Sequence, residues 1–356
     1  MVALRNLPIK ARIAMALVFP VLGLLALAGH RVVERHQLLV ETQRVRQLAG
    51  FGSDVGALAH QLQRERGASS LHLGSRGGYM DELAQRHAAS DQAVERFQQA
   101  TSALRDGRTL PAPTIRAVET LAADLGSLAA LRQNVRLGTM VPLTAVDAYG
   151  AILAHLFEVM GHLPMLCGDD EVAAMATAYT ALLQGKERAG MARAVGAGLL
   201  ASGIADPQAG MRFLRLAGEE QVFLKVFRTF ARPAQVAALD DALKLAADYE
   251  RLHNDLSLAL AAGLVRYIDA DEWFLASTTR VERIREVEDR VNGDLLNQAE
   301  ALEENARRQL TITVSGVVIL LAGTGLLVLR IVRGIVAPLG ALTDTMTRLA
   351  EGDASV

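Results

Sequence analysis

Apolar positions recur at three- and four-residue steps along most of the chain, the spacing of a helix with one buried stripe. No run of alternating β-branched residues suggests a sheet. In the first long stretch Leu58, Leu62, Glu65 and Ser69 share a face, and Gly74-Ser75-Arg76-Gly77-Gly78 then breaks the pattern. A second helix is predicted over about 79–104, and a turn follows through Pro111-Ala112-Pro113. Thr114 is the expected N-cap of a third helix, with Ala117, Val118, Leu121, Leu125 and Leu128 as its stripe. A fourth covers about 144–162, and Leu163-Pro164-Met165-Leu166-Cys167-Gly168-Asp169-Asp170 marks the main internal boundary. Asp169 or Asp170 can cap a fifth helix ending near Gly203, and Asp206-Pro207 opens a sixth with proline in its first turn. Arg232-Pro233 separates the sixth from a seventh over about 234–262. Asp269-Ala270-Asp271 opens the last, whose stripe runs Val281, Ile284, Val287, Val291, Leu295 and Leu302. The expected fold is all-α: two stacked four-helix bundles, about 30–165 and 166–310, since short connections make antiparallel neighbours.

Two uncharged apolar stretches, 13–29 and 311–329, approach the roughly 20 residues a spanning helix needs. Arg5, Lys10 and Arg12 precede the first; Arg330 and Arg333 follow the second. Positive residues stay inside, so residues 1–12 and 330–356 are assigned to the cytoplasm and 30–310 to the periplasm of a bacterial inner membrane. The first stretch lacks a small-x-small cleavage site and is read as an uncleaved anchor. After the second come Ala337-Pro338-Leu339, then Leu342, Met346 and Leu349, then Glu351-Gly352-Asp353. This resembles the first half of a HAMP linker. The order of segments therefore resembles a chemotaxis receptor or sensor kinase, membrane-embedded and homodimeric. Its cytoplasmic signalling partner would be reached through an output domain beyond residue 356.

The charge balance, 37 Lys and Arg against 39 Asp and Glu, gives no basic patch or stripe, so no nucleic-acid partner is expected. A single cysteine, Cys167, excludes an internal disulfide and a cysteine-based metal cluster. Gly74–Gly78 lacks the Gly-Lys-Ser/Thr of a phosphate loop, and His155 and His162 share a helix face without a third ligand. No catalytic constellation stands out, so no enzyme, metal or cofactor is expected.

Candidate chemistry concentrates in two echoing stretches, Leu62-Gln63-Arg64-Glu65-Arg66-Gly67-Ala68-Ser69-Ser70 and Lys186-Glu187-Arg188-Ala189-Gly190-Met191-Ala192-Arg193-Ala194. Each sets guanidinium groups beside small residues. A guanidinium is a permanently charged planar fork of donors that matches a planar oxyanion, and small neighbours let an anion approach. The competing account makes Arg66 and Arg188 interhelical salt bridges with Glu65 and Glu187. Together with Glu272-Trp273-Phe274, Thr278 and Arg280, these stretches resemble the motifs of the NIT family, the nitrate- and nitrite-sensing domain. The resemblance covers roughly residues 50–300. It departs at Ala192, where the family usually carries glutamate. It implies two four-helix bundles and a nitrate or nitrite anion held by arginines, with Arg66 and Arg193 first, then Arg188 and Arg64. The expected function is a transmembrane receptor that passes a helix shift through HAMP. The rivals are a receptor for small organic acids and a protein-partner module with salt-bridging arginines.

Overall fold

The computed structural model describes residues 9–75, 79–106, 110–265 and 268–336, with 338, 340–342 and 345–346. The chain forms α1 (Ile9–Gly74), α2 (Met80–Asp106), α3 (Ala112–Arg136), α4 (Pro142–Leu166), α5 (Asp170–Ser202), α6 (Pro207–Phe230), α7 (Pro233–Lys244), α8 (Ala247–Ala262) and α9 (Ala270–Ile331). A π-helical turn, Val332–Val336, continues α9. Among the described residues there is no strand, so the all-α class holds. Residues 76–78 of the glycine-rich loop lie outside the described residues. So does most of the HAMP-like stretch, 347–356 included.

Local signals account for several boundaries. Asp169 caps α5 by accepting from the Val172 amide at 2.9 Å. Asp206 does the same for α6 through the Ala209 amide at 2.7 Å. Asp269 accepts from the Asp271 and Glu272 amides at 2.8 and 2.9 Å at the start of α9. Two expectations fail. Thr114 is not the cap of α3, because that helix starts at Ala112 behind an extended Pro111 and leaves Thr114 buried in its first turn. Prolines fit there since first-turn amides have no helical partner to lose. The predicted seventh helix is two, broken at Leu245–Ala246, where no glycine or proline announces a stop. The buried stripe runs on across the break at three- and four-residue steps, through Leu239, Ala242, Ala246, Tyr249, Leu252 and Leu256.

The chain divides into two compact units. The larger, Gln43–Ala301, holds the core. Its α5–α9 part closes over Ala192, Val195, Leu199, Phe213, Tyr249, Leu252, Leu256 and Trp273. Two glycines set how closely its helices meet. A Cβ on Gly56 of α1 would lie 2.0 Å from the Tyr179 hydroxyl of α5. One on Gly196 of α5 would lie 2.6 Å from the Trp273 indole of α9. Only a residue without a side chain admits these aromatic neighbours. The Ser53 hydroxyl of α1 accepts from the Asn292 amide of α9 at 3.0 Å, and buried Lys186 pairs with buried Glu288.

The smaller unit comprises Met1–Thr42 and Leu302–Val356. The Arg35 guanidinium donates to Gln309 there at 2.8 Å. The helix through Ala270–Leu342 is long and apolar enough to cross a membrane, and none of its most apolar window is buried. Pro142–Leu166 passes the same test of length and composition, but half its window is buried in the larger unit, as befits a core helix.

Candidate functional site

The first motif lies on α1 and the second on α5, and both belong to the larger unit. Neighbouring residues on a helix point about 100° apart, so Glu65 and Arg66 serve different partners. Glu65, fully buried, accepts from Arg132 of α3 at 2.8 and 2.9 Å and from the Tyr149 hydroxyl of α4 at 2.6 Å. Ser69, one turn on, donates to the same hydroxyl at 3.2 Å. Arg132 also reaches Asp91 of α2 at 2.6 Å. This carboxylate therefore fastens α1 to α3 and α4.

Arg66 turns instead to α5. Its Nη1 and Nη2 donate to the two carboxylate oxygens of Glu187 at 2.5 and 3.0 Å, and Gln63 donates to Glu187 Oε2 at 2.8 Å. The pair is nearly dry, with side-chain exposures of 8% and 2%. Arg66 therefore does pair across helices, but with Glu187 rather than Glu65. Its bidentate bond occupies one hydrogen on each terminal nitrogen, leaving the other hydrogens of the fork to a second acceptor.

Arg193 lies one α-helical turn past Gly190, where an added Cβ would stand 3.7 Å from Arg66 Nη2. No carboxylate among the described residues pairs with Arg193. Its Nη1 donates to the Thr278 hydroxyl at 3.1 Å, and its guanidinium lies 5.4 Å from the centre of the Phe274 ring. The Trp273 indole donates to the Arg193 carbonyl at 3.1 Å, so α9 grips this turn of α5 from behind. Burial, and then the Arg66 guanidinium, push the Arg193 pKa below the usual arginine range. Two guanidinium groups thus meet near one place: Glu187 binds Arg66 directly, while Glu282 and Glu187 act on Arg193 only through space, which leaves its fork open to an anion.

Both arginines line a cavity of about 950 Å³ bounded by α1, α4, α5 and α6, together with Phe274. Arg212 of α6 also lines it and pairs with Asp147 of α4. The other predicted residues stand elsewhere. Arg188 donates to Glu219 at 2.6 Å and packs over Phe223, and Arg64 is exposed. Arg280 is fully buried, bound to Glu220 and Glu250 at 2.8 Å each, with its guanidinium 4.4 Å from the Tyr249 ring centre. His155 pairs with Asp124, and among the described residues no group of three or more His, Cys, Asp or Glu could hold a metal. Arg212 and the Glu187–Arg66 pairing escaped sequence reasoning, because nothing in local spacing signals a bond between side chains 121 positions apart.

A sequence model described as nitrate and nitrite sensing (NIT) matches residues 57–296. The chain belongs to the NIT family. A nitrate regulatory protein from Klebsiella oxytoca is 31% identical over 276 residues, covering 74% of this chain and 67% of that protein. A solved structure of the NasR transcription antiterminator superposes with a TM-score of 0.67 at 26% identity, covering 80% of each chain. For this NIT chain, nitrate sensing and the all-helical module stand.

The relatives overturn other expectations. They are named as a nitrate regulatory protein and a transcription antiterminator, and neither name is that of a chemotaxis receptor or sensor kinase. The expected receptor function, with its membrane-embedded setting, is therefore withdrawn. So is the exclusion of nucleic acid, since an antiterminator is among the relatives. The reason is that the family signature resides in the helical core, whereas the receptor reading drew on flanking segments. A fold does not by itself fix an output, and function follows the site rather than the neighbouring segments.

Proposed function

We propose that this chain is a nitrate- and nitrite-responsive regulator whose anion docks between Arg66 and Arg193. The observation that carries this reading is Arg193, a partly buried cation that bonds to no carboxylate among the described residues and stands beside a second arginine. A planar anion there accepts charge-assisted hydrogen bonds from both forks, each contributing about 1.5–3 kcal/mol. It also relieves the repulsion between the guanidinium groups. Nitrate is weakly hydrated for an oxyanion, which keeps its desolvation cost modest.

The site joins the elements that would carry a response. Arg66 belongs to α1, Arg193 to α5, and Thr278 and Phe274 to α9. A ligand shifts an equilibrium only through its different affinities for the two states. Arginines on different helices supply that difference, because they converge on the anion in one arrangement and separate in another. This reading takes the module as two four-helix bundles meeting through α1 and α5, and assigns no catalytic step.

Calorimetry and thermal melting of the purified chain with nitrate, nitrite, chloride, sulfate and acetate test it. Saturable nitrate or nitrite binding, lost in Arg193→Ala and Arg66→Ala, is the expected result. Ligand at a hundred times Kd stabilises by about 2.7 kcal/mol. If neither anion shifts the melt, Arg66 is only the salt bridge it makes with Glu187 and the proposal fails.

A further inference from the structure

The cavity is far larger than a nitrate. At about 950 Å³ it stands at the upper end of the range for drug-sized ligands, roughly 300–1,000 Å³. Its shape follows from sequence spacing. On α1 it is lined at Gln63, Arg66 and Gly67, Ser70 and Leu71, and Gly74, which are successive turns of one face. On α5 the matching series is Gly190, Arg193 and Ala194, Ala197 and Gly198, and Ala201. At 1.5 Å per residue each series extends about 17 Å. Arg66 and Arg193 sit toward one end of this slot, small residues follow along α1 and α5, and Arg212 of α6, neutralised by Asp147, lines it from the side. A Cβ added at Gly67, Gly74 or Gly198 would meet no atom within 4 Å, so the space in front of these backbones is open. Leu143 and Val146 of α4, Leu199 of α5 and Phe274 supply apolar wall.

From this we infer a second ligand class for the same site: an amphipathic monocarboxylate whose carboxylate takes the Arg66–Arg193 end. Its aliphatic or aromatic body lies along the small-residue slot between α1 and α5. The inference rests on the anion site proposed above. A carboxylate presents two oxygens to a guanidinium fork, as Glu187 already does to Arg66. Nitrate fills only the charged end, whereas a body of six to eight carbons covers apolar wall that nitrate leaves wet. Burying one methylene contributes up to about 0.8 kcal/mol, roughly fourfold in affinity, and less where the slot stays open to water. The two ligand classes exclude one another because both need the same arginines.

The experiment is calorimetry of the 356-residue chain with nitrate, acetate, hexanoate, octanoate and 2-naphthoate, with nitrate as competitor. The expected result has three parts. Octanoate binds at least tenfold tighter than acetate, nitrate displaces it, and Arg193→Ala abolishes it. Gly198→Leu, which fills the slot about 7 Å along α5 from Arg193, removes the preference for octanoate over acetate but leaves nitrate affinity unchanged. Equal affinity for acetate and octanoate with nitrate binding intact overturns this inference and leaves the nitrate reading standing. Octanoate binding that survives Arg193→Ala, or that nitrate does not displace, overturns it as well. If neither nitrate nor any carboxylate binds, both readings fall together.

Discussion

Glu187→Gln isolates the electrostatics of the site. Glu187 is buried, neutralises Arg66 through both oxygens and accepts from Gln63. Glutamine keeps the volume and one oxygen but removes the charge. The two guanidinium groups then keep only Glu282, which acts on Arg193 without bonding to it, as nearby counter-charge. Breaking a buried pair by removing one partner costs about 3–5 kcal/mol; the retained amide oxygen brings the expectation to the lower end, about 3 kcal/mol. The same change removes the carboxylate that binds Arg66 beside the anion site. A unit charge at about 5 Å, in an effective dielectric of about 20, contributes about 3 kcal/mol. Nitrate should therefore bind Glu187→Gln more tightly by up to about a hundredfold. Urea denaturation of the full chain, with and without nitrate, reads both effects. In anion-free, low-chloride buffer the variant should be less stable by about 3 kcal/mol, and saturating nitrate should restore most of that loss. Unchanged stability, or nitrate affinity no higher than in the parent, would refute the view that Glu187 neutralises Arg66 beside the anion site.

Further outcomes follow from other residues. Arg193→Gln removes a partly buried cation that bonds to no carboxylate among the described residues, so anion-free stability should hold within about 1 kcal/mol or rise, while nitrate binding is lost; a drop of about 3 kcal/mol in urea denaturation would mean a structural ion pair instead. Gly196→Ala drives a methyl into the Trp273 indole and should cost about 1–3 kcal/mol. Trp273 is the sole tryptophan, so a red-shifted emission should accompany that loss, and an unshifted spectrum at parental stability would contradict the close approach. His60 is held neutral to about pH 3 by burial first, then by Arg285, Lys186, Arg64 and Arg86. The unfolded chain takes up a proton below about pH 6.5 that the folded chain refuses, so stability falls from pH 6.5 toward 3. At pH 5 the loss should be about 1–2 kcal/mol, and His60→Gln should flatten that part of a pH series of melts.

Helical class and most helix ends were legible because they depend on near neighbours. Three- and four-residue spacing marked the stripes, and aspartates 169, 206 and 269 cap within three residues of themselves. The break at Leu245–Ala246 was not legible, since no glycine or proline marks it and the apolar spacing continues across it. The family motifs pointed to arginines but not to their roles. Arg66 and Arg188 occupy equivalent places in the echoing stretches, yet one lines the cavity beside Arg193 and the other pairs with Glu219. The flanking apolar stretches led sequence reasoning to a receptor output that the relatives do not share. Sequence by itself determined an all-helical sensing module with arginines at chosen helix positions. Only the tertiary structure decided which guanidinium bonds to a carboxylate and which, among the described residues, does not. Charge compensation is settled by partners brought together across helices, and that proximity is not encoded at any one position in the chain.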